Sequence, residues 1–448
     1  MYLTALELDP NPQLSEALKF QPLVGNNLFD ADAFNEEADF NKQGPFATRN
    51  FHAIVGNPPW RRRRVNRLAT EYCKKRGYPL VRRSLDQAFL WRSGDFVNNE
   101  TRIGLILHSR PFFGHTSEAL KAREGLLKRF SPQVMVNLSD LRQDGLFPMT
   151  DAPALVLIAK GCPSRSDGLF YFVCAEHSKA FRKHNIIEMG PENVKRIPTY
   201  RITSDTDILK IASWGSARDM ALIERLRSTF PSLEKYINDN KDNGWVSGQG
   251  FRGSGSYETP ELYEKKWLPS GKMPPYFIDL DSLETLPGQK LDRPRNMRIY
   301  SGPLVVTTRG LGKEGFYAAF SPGDVVYTEE YYGISIPKDQ ESMAHYLNGV
   351  LNSSLASYFL FMTASVWGVE RDKVEPNDLL RLPIPLPVAD NHSTVTQIIG
   401  IERMLYQSSN GPTREKLKEQ LNKAVFMLYG LDEVEQLLIL YRLFQPRD

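Results

Sequence analysis

Residues 51–60 read FHAIVGNPPW, and this stretch decides the fold prediction. Its apolar run predicts a strand that ends at the glycine, and Asn57-Pro58-Pro59-Trp60 follows directly. Each proline fixes its own φ and restricts the residue before it to extended geometry, so the turn is rigid. Since helix formation is excluded here, the carbonyls of Asn57 and Pro58 stay free. The stretch therefore predicts two hydrogen-bond acceptors, the Asn57 side-chain oxygen and a main-chain carbonyl, beside a flat aromatic face.

The chemistry that suits this turn is binding of an exocyclic amino group on a nucleic-acid base. Such a group has two hydrogens to donate, and its ring stacks on an aromatic face such as Trp60. An enzyme that modifies a base must take it out of the duplex into a pocket of this kind. The alternative is a plain proline turn, because Asn-Pro and Pro-Pro are common in loops. The position directly after an apolar strand favours the functional interpretation.

The segments around this motif alternate between strand-like and helix-like patterns. Further strands are predicted at 103–107, 133–138 and 153–159, and helices at 85–97 and 118–129. Near-continuous apolar strands separated by helices indicate an α/β fold with a mostly parallel sheet covered on both faces. Ligands of such sheets bind at the carboxyl ends of the strands, which is where Asn57 lies.

The rest of the chain divides by composition. A region rich in Gly, Pro and Asn, from 237 to 300, predicts loops and surface contacts rather than a core. Beyond it, short apolar runs predict strands, and the end of the chain repeats apolar residues at helical spacing. The predicted parts are a sheet domain at 1–165, a connecting region at 166–235, a mixed α/β domain at 236–390 and a helical segment at 391–448.

The composition is that of a globular protein and excludes several classes. The chain of 448 residues is 41% hydrophobic and 24% charged, with a net charge of +3, which does not by itself indicate a nucleic-acid binder. Three cysteines without a CxxC pair argue against a disulfide framework and a cysteine zinc site, and they fit a reducing cytoplasm. The seven histidines lack the spacing of a metal site. No apolar run reaches the length of a membrane span, and the N-terminus lacks a secretory signal pattern.

On these residues the chain resembles the amino-methylating DNA methyltransferases, in particular the N6-adenine enzymes of the type IIG and BREX-like kind. Their signature, Asn/Asp-Pro-Pro-aromatic, matches Asn57-Pro58-Pro59-Trp60, and the stretches GLILHSRPFF and LFPMTDAPALVLIAK are similar to later pieces of their catalytic domain. LNGVLNSSLASYFL and WGVERDKVEPNDLLRLPIPLP resemble their target-recognition region. The resemblance implies a partial Rossmann-like methyltransferase sheet, a mixed α/β target-recognition domain and a C-terminal helical segment.

The resemblance also implies a reaction and its participants. It implies methyl transfer from S-adenosylmethionine to the N6 amino group of adenine in double-stranded DNA, in a restriction-modification or phage-defence system. Asn57 and Pro58 would accept hydrogen bonds from the amino group, Pro59 completes the motif, and Trp60 would stack on the flipped base. Restriction or defence-system subunits are the protein partners that this implies.

The cofactor side of the family pattern is incomplete in this chain. Asn26 lies where the family has a residue that touches the adenine of the cofactor, Asn27 is an equal candidate, and Asp30 is close by. The family's glycine-rich strand-to-helix turn has no counterpart, and the glycine patterns at 248–253 and 310–315 lack that context and are interpreted as loops. We therefore expect the substrate half of the site here, as a fragment, a split gene or one subunit whose second chain supplies the cofactor half.

Several basic and aromatic residues are candidates for DNA contact. The candidates are Arg61, Arg62, Arg63, Arg64, Arg309, Trp367 and Arg371. The arginine block adjoins the catalytic turn and would hold phosphates beside the flipped base, the alternative being a solvated loop. Arg309 lies in the recognition-like region and would contact base edges, with a surface ion pair as its alternative. For Trp367, core packing is an equal alternative.

Other functions stay open from the sequence alone. The chain is also compatible with a non-catalytic DNA-binding or specificity module derived from such an enzyme, or with methylation of an amino group in RNA or protein. Cytosine is open as the target base, because the same acceptors suit its amino group. The sequence does not reveal the target site, and no carboxylate cluster predicts a nuclease.

Overall fold

The computed structural model describes residues 28–42, 44–49, 51–60, 66–147, 150–288, 290–293, 295–311, 315–408 and 411–444. Six of the candidate site residues lie outside these ranges, namely Asn26, Asn27, Arg61, Arg62, Arg63 and Arg64. The statements made for those six residues therefore stay predictions.

A six-stranded sheet forms the first part of the molecule. Its strands are β1 (Ala53–Gly56), β2 (Arg102–His108), β3 (Ser131–Asn137), β4 (Ala154–Lys160), β5 (Leu169–Cys174) and β6 (Val194–Pro198). Their order across the sheet is β1-β2-β4-β3-β5-β6. β1 is parallel to β2, and β3 is parallel to β5. β4 runs antiparallel to both of its neighbours, and β6 runs antiparallel to β5.

The prediction of a mostly parallel sheet is therefore wrong, although the α/β class is confirmed. β3 and β4 are adjacent and antiparallel because the chain turns back through a short 3-10 helix, Ser139–Asp144, instead of crossing the sheet through an α-helix. β5 and β6 extend the sheet beyond residue 165. The sheet thus includes residues that were predicted to connect two domains.

Helices cover one face of this sheet. The helices of this part are α1 (Gly44–Thr48), α2 (Arg67–Arg76), α3 (Leu85–Ser93), α4 (Arg110–Phe113), α5 (Ser117–Arg129), α6 (Lys179–His184), α7 (Arg201–Ser204) and α8 (Ile208–Trp214). Side chains alternate between the two faces of a strand, and those on the covered face, such as Ile103, Leu107 and Leu157, are at most 1% exposed. They pack in one core with apolar residues from α2, α3, α5 and α8.

On the opposite face several apolar side chains are exposed among the described residues. The prediction of cover on both faces stays a prediction, because part of the chain lies outside the described ranges. Val55, Gly104, Ile158, Val134 and Tyr171 are direct neighbours in successive strands and form one row across this face, which we call the open row. Val55 is 79% exposed, Ile158 is 39% exposed and Tyr171 is 49% exposed. A row with three exposed apolar side chains is the kind of surface against which another layer packs.

The second part of the molecule contains three further sheets. Its strands are β7 (Val246–Gln249), β8 (Arg252–Tyr257), β9 (Trp267–Leu268), β10 (Tyr276–Phe277), β11 (Leu291–Arg293), β12 (Leu304–Thr308), β13 (Ala318–Ser321), β14 (Val326–Tyr327) and β15 (Tyr331–Ser335). Five of them form a sheet in the order β10-β13-β12-β15-β7, and the pairs β11-β8 and β14-β9 stand beside it.

Loops were predicted for residues 237–300, and this prediction is wrong. Five of the strands lie there, and residues such as Leu262, Leu268 and Ile278 are fully buried in a core of their own. The strands of this region are two to six residues long. Such short strands cannot produce a visible periodicity among the many Gly, Pro and Asn residues.

The remaining helices and the five-stranded sheet share one large core. These helices are α9 (Ala217–Thr229), α10 (Leu233–Asp239), α11 (Glu341–Leu351), α12 (Ser354–Thr363), α13 (Pro376–Leu380), α14 (His392–Gln407), α15 (Pro412–Leu428) and α16 (Glu433–Phe444). The core runs from Ile211 to Ile439, so the C-terminal helices do not have a separate core. Among the helices that the structure describes, none is both long and apolar enough to cross a membrane.

Candidate active site

The turn at residues 57–60 lies at the carboxyl end of β1, as predicted. Asn57 and Pro59 are exposed, whereas Pro58 is buried. Within the described part of the chain, neither the Asn57 side chain nor the carbonyls of Asn57 and Pro58 have a hydrogen-bond partner. The turn thus presents polar acceptors that are open to an external donor.

Trp60 is half-buried and anchored to the neighbouring strand. Its indole Nε1 donates a hydrogen bond of 3.2 Å to the carbonyl oxygen of Ile106 in β2. The ring meets Phe147 edge to face, with 5.2 Å between the ring centroids, and lies 6.4 Å from the ring of His108. These contacts fix the plane of the indole beside the acceptors of the turn.

Phe147 is a site residue that sequence reasoning missed. It follows the 3-10 helix between β3 and β4 and belongs to a small apolar cluster with Trp60, Ile106 and Leu138. A sequence signal for this residue was present, because Phe147 belongs to the LFPMTDAP stretch on which the family resemblance rests. Its proximity to Trp60 depends on the antiparallel return of β4, which the sequence pattern did not reveal.

A buried carboxyl group fixes the chain where β2 ends. The Asp86 side chain, at the start of α3, is fully buried and accepts a hydrogen bond of 2.9 Å from the backbone N–H of His108. Burial raises the pKa of Asp86, and the hydrogen bonds from Ser84 and the His108 backbone partly offset that rise. Asp86 thus holds the strand end against which Trp60 rests.

The described residues do not form a complete site for S-adenosylmethionine. Asp30 is exposed, and no hydrogen bond from its side chain to a described residue is seen. The pattern at 248–253 spans the end of β7 and the start of β8, so it is two strands and a tight connection rather than the predicted loop. No helix follows it, and part of the pattern at 310–315 lies outside the described residues. In its described part, neither pattern lies between a strand and a helix, as a phosphate- or nucleotide-binding loop does.

The candidate DNA-contact residues of the second part differ in accessibility. Arg309 is only 5% exposed, and its guanidinium donates to the Glu329 carbonyl oxygen at 2.6 Å and pairs with Glu375. We therefore withdraw Arg309 as a base-reading residue, because its side chain is buried and both of its terminal nitrogens bind other protein groups. Trp367 is partly buried and packs on Phe361 against the large core, which favours the packing alternative. Arg371 has a side chain that is 69% exposed and therefore stays a candidate for DNA contact.

A buried polar junction joins the two parts close to the carboxyl end of β2. The two ring nitrogens of His115 contact Asp207 at 2.6 Å and Asp378 at 2.9 Å, and Arg381 binds Asp207 at 2.5 Å. Burial lowers the pKa of His115, but the hydrogen bonds to the two carboxylates outweigh it and raise the pKa above its usual value. We call these four side chains the histidine junction.

A second ion pair lies beside the histidine junction. The guanidinium of Arg110, directly after β2, pairs with Glu370, and both side chains are about nine-tenths buried. These contacts join residues that are some 260 positions apart in the chain. The histidine junction and the Arg110–Glu370 pair together hold the end of β2 against the loop that contains Trp367 and Arg371.

Comparison with known proteins finds that part of this chain is similar to the restriction-modification methylases. Residues 6–143 match the family model described as Eco57I restriction-modification methylase. The type IIL restriction-modification enzyme MmeI, solved in complex with DNA, is 12% identical, with a TM-score of 0.52 over 88% of this chain and 57% of that one. The type IIG restriction endonuclease BpuSI is 13% identical, with a TM-score of 0.37 over 89% of this chain and 56% of that one. None of the curated protein sequences matches the chain significantly.

These similarities cover different parts of the chain and support different conclusions. The chain spans little more than half the length of either enzyme. The likeness to MmeI shows a common fold, while the family match covers the segment that contains β1, the turn at 57–60 and β2. Residues 6–143 are therefore similar in sequence to the restriction-modification methylases, and the resemblance to DNA methylases of restriction-modification systems is confirmed for this part of the chain.

Proposed function

We propose that the chain forms the substrate side of a DNA methyltransferase that acts on the N6 amino group of adenine in a restriction-modification or phage-defence system. The observation that carries the proposal is the rigid turn at 57–60, whose acceptors have no partner among the described residues. Asn57 and Pro58 accept the two hydrogens of the amino group and orient its lone pair. No general base is needed for this task, because positioning supplies most of the rate enhancement.

Trp60 and the backbone of Pro59 complete the pocket in this proposal. The indole is held by Ile106 and Phe147, so its plane is set before a base arrives. A base taken out of the duplex replaces stacking on its neighbours with stacking on this ring, which is worth about 1–3 kcal/mol in single-stranded complexes. The partner is therefore double-stranded DNA with one flipped base.

S-adenosylmethionine is the methyl donor that we propose, held mainly by residues other than those described. The open row supports this division, since Val55, Ile158 and Tyr171 present apolar side chains that the described residues leave exposed beside the turn at 57–60. A cofactor-binding layer that packs on this face would place the donor next to the turn, whether it belongs to a second chain or to another segment. Asn26, Asn27 and Asp30 remain the proposed contacts from this side.

Substitution of Asn57 by Ala tests the proposal. We expect methyl transfer to fall at least about 100-fold, because one preorganised hydrogen-bond partner of the reacting group is lost. The measurement combines the chain with its cofactor-binding half, labelled S-adenosylmethionine and mixed-sequence duplex DNA. Mass spectrometry of the digested product identifies the methylated base, with N6-methyladenine expected.

The matched control for this variant is Asn99→Ala, since Asn99 is another exposed asparagine in the same part of the molecule. We expect the control to keep full activity and both variants to keep the DNA affinity of the unmodified protein. Full methyl transfer by the Asn57→Ala protein would overturn the catalytic assignment. Methylated cytosine in place of methylated adenine would overturn the choice of base.

A pair of Trp60 variants separates stacking from the hydrogen bond to Ile106. Phe keeps an aromatic face but loses the indole N–H, whereas Ala loses both. We expect Trp60→Phe to keep most of the value of kcat/KM and Trp60→Ala to lose about 10- to 100-fold, in line with the energy of one stacked base. Equal losses in the two variants would mean that the anchor to β2, and not the aromatic face, is what the reaction needs.

A further inference from the structure

Two exposed arginines occupy a strained turn between α2 and α3. Arg82 and Arg83 both have positive φ, 51° and 54°, and the Ser84 amide donates a 3.2 Å hydrogen bond to the Val81 carbonyl oxygen. Positive φ at both central positions is the geometry of a type I′ turn, which strongly prefers Asn and Gly. A long side chain in this region costs about 1–2 kcal/mol relative to the right-handed conformation. The sequence nevertheless has arginine at both positions.

The surrounding structure holds this turn in place. Val81 is 4% exposed, and its amide and carbonyl are both bound by the Gln87 side chain, at 2.9 Å and 3.2 Å. Ser84 is also buried, and its hydroxyl donates to Asp86. The two residues that flank the turn are therefore anchored, whereas Arg82 and Arg83 between them are exposed.

The same contacts tie the turn to the candidate active site. Asp86 binds the backbone of His108, and the ring of His108 lies beside Trp60. The arginine turn and the catalytic turn are thus both attached to the last residues of β2. They lie on the carboxyl edge of the sheet, where the substrate binds in the proposed function.

Arg82 also lines a cavity of about 260 Å³ between the two parts of the molecule. Most carboxylates of this cavity are already paired, Glu370 with Arg110, Glu375 with Arg309 and Asp378 with His115. Glu118, which is exposed, also lines the cavity. No ion pair joins Arg82 or Arg83 to a carboxylate among the described residues, so both cations are available to an external anion.

We propose that Arg82 and Arg83 form a phosphate clamp that holds the DNA backbone beside the flipped base. Guanidinium groups bind phosphate oxygens in a bidentate manner, and contacts of this kind set the register of a protein on the duplex. A local strain that the fold maintains at the edge of a site is typical of a functional role. The inference rests on the proposed function and adds a second set of contacts to it.

Substitution of both arginines by glycine separates the clamp from a structural role. Glycine adopts positive φ without strain, so the Arg82→Gly/Arg83→Gly protein is expected to unfold at a temperature higher by a few degrees. Its affinity for a fluorescent random-sequence duplex is expected to fall, and the slope of log affinity against log salt to shrink by about 2, one for each lost phosphate contact. The Arg82→Lys/Arg83→Lys protein, which keeps both charges, should retain most of the slope.

The matched control removes two exposed lysines from α15, Lys416→Ala/Lys423→Ala, and is expected to leave the slope unchanged. A glycine variant that binds duplex with the slope of the unmodified chain would overturn the clamp and leave the proposed function intact. An unmodified chain that shows no salt-dependent binding to duplex would overturn both. An equal loss in the lysine control would also overturn the clamp, since any two surface charges would then have the same effect.

Discussion

The two faces of the six-stranded sheet both carry apolar side chains, but among the described residues helices cover only one of them. Leu157 and Ile158 are neighbours in β4, and the first is fully buried under helices while the second is 39% exposed in the open row. Alternation along a strand explains why they face opposite ways. The exposed apolar side chains of the open row, beside the turn at 57–60, form a surface on which a layer other than the described residues can pack.

The largest expected effect on the free energy of unfolding is that of a substitution on the covered face. Leu157→Ala should lower the free energy of unfolding by about 2–5 kcal/mol, because a fully buried leucine leaves a cavity that a packed core cannot close. Urea denaturation of the whole chain measures the change. A loss below 1 kcal/mol would show that the covered face is less tightly packed than its burial indicates.

The histidine junction should produce a smaller, pH-dependent effect. The pKa of His115 is raised in the folded state above its usual value of 6.5, so the protonated ring stabilises the protein below that pH. This contribution is lost as the pH rises through the folded-state pKa of His115. We expect the difference in unfolding free energy between the unmodified protein and His115→Gln to shrink with increasing pH from 6.5 upward.

Parallel urea titrations of the two proteins across the pH range check this expectation, and their difference isolates His115 from other titrating groups. A difference that stays constant with pH would mean that His115 is neutral between Asp207 and Asp378.

A substitution on the open face should have the smallest effect on the stability of the chain alone. Ile158→Ser removes an apolar side chain that is already in contact with water, so we expect a change within about 0.5 kcal/mol in unfolding free energy. The same change should weaken association with a cofactor-binding half, because it places a hydroxyl in the interface. Pull-down or sedimentation measurements with that half test the second effect, and a large loss of stability in the chain alone would contradict the comparison.

Much of the fold could be predicted from particular residues. The apolar runs before Asn57 and at 103–107 and 153–159 mark β1, β2 and β4 to within two residues. The orientation of β4 could not be predicted, because Leu155 and Leu157 are equally compatible with parallel and antiparallel neighbours. The open row was missed for a related reason, since Val55 and Ile158 are apolar and pattern alone suggests that apolar side chains are buried.

The candidate site shows the same division between local and distant information. The turn at 57–60 was placed correctly at a strand end because its prolines act locally. The burial of Arg309 and the pairing of Arg110 with Glu370 depend on contacts between distant segments, which no local pattern encodes. Phe147 approaches Trp60 only because β4 returns beside β2.

The measurement that tests the central claim most directly is calorimetry of S-adenosylmethionine binding to the 448-residue chain alone. The open row and the lack of a complete cofactor site among the described residues predict no tight binding, and a cofactor-binding half that covers the open row should restore it. Tight binding by the chain alone would contradict the claim that this chain holds mainly the substrate side of the active site.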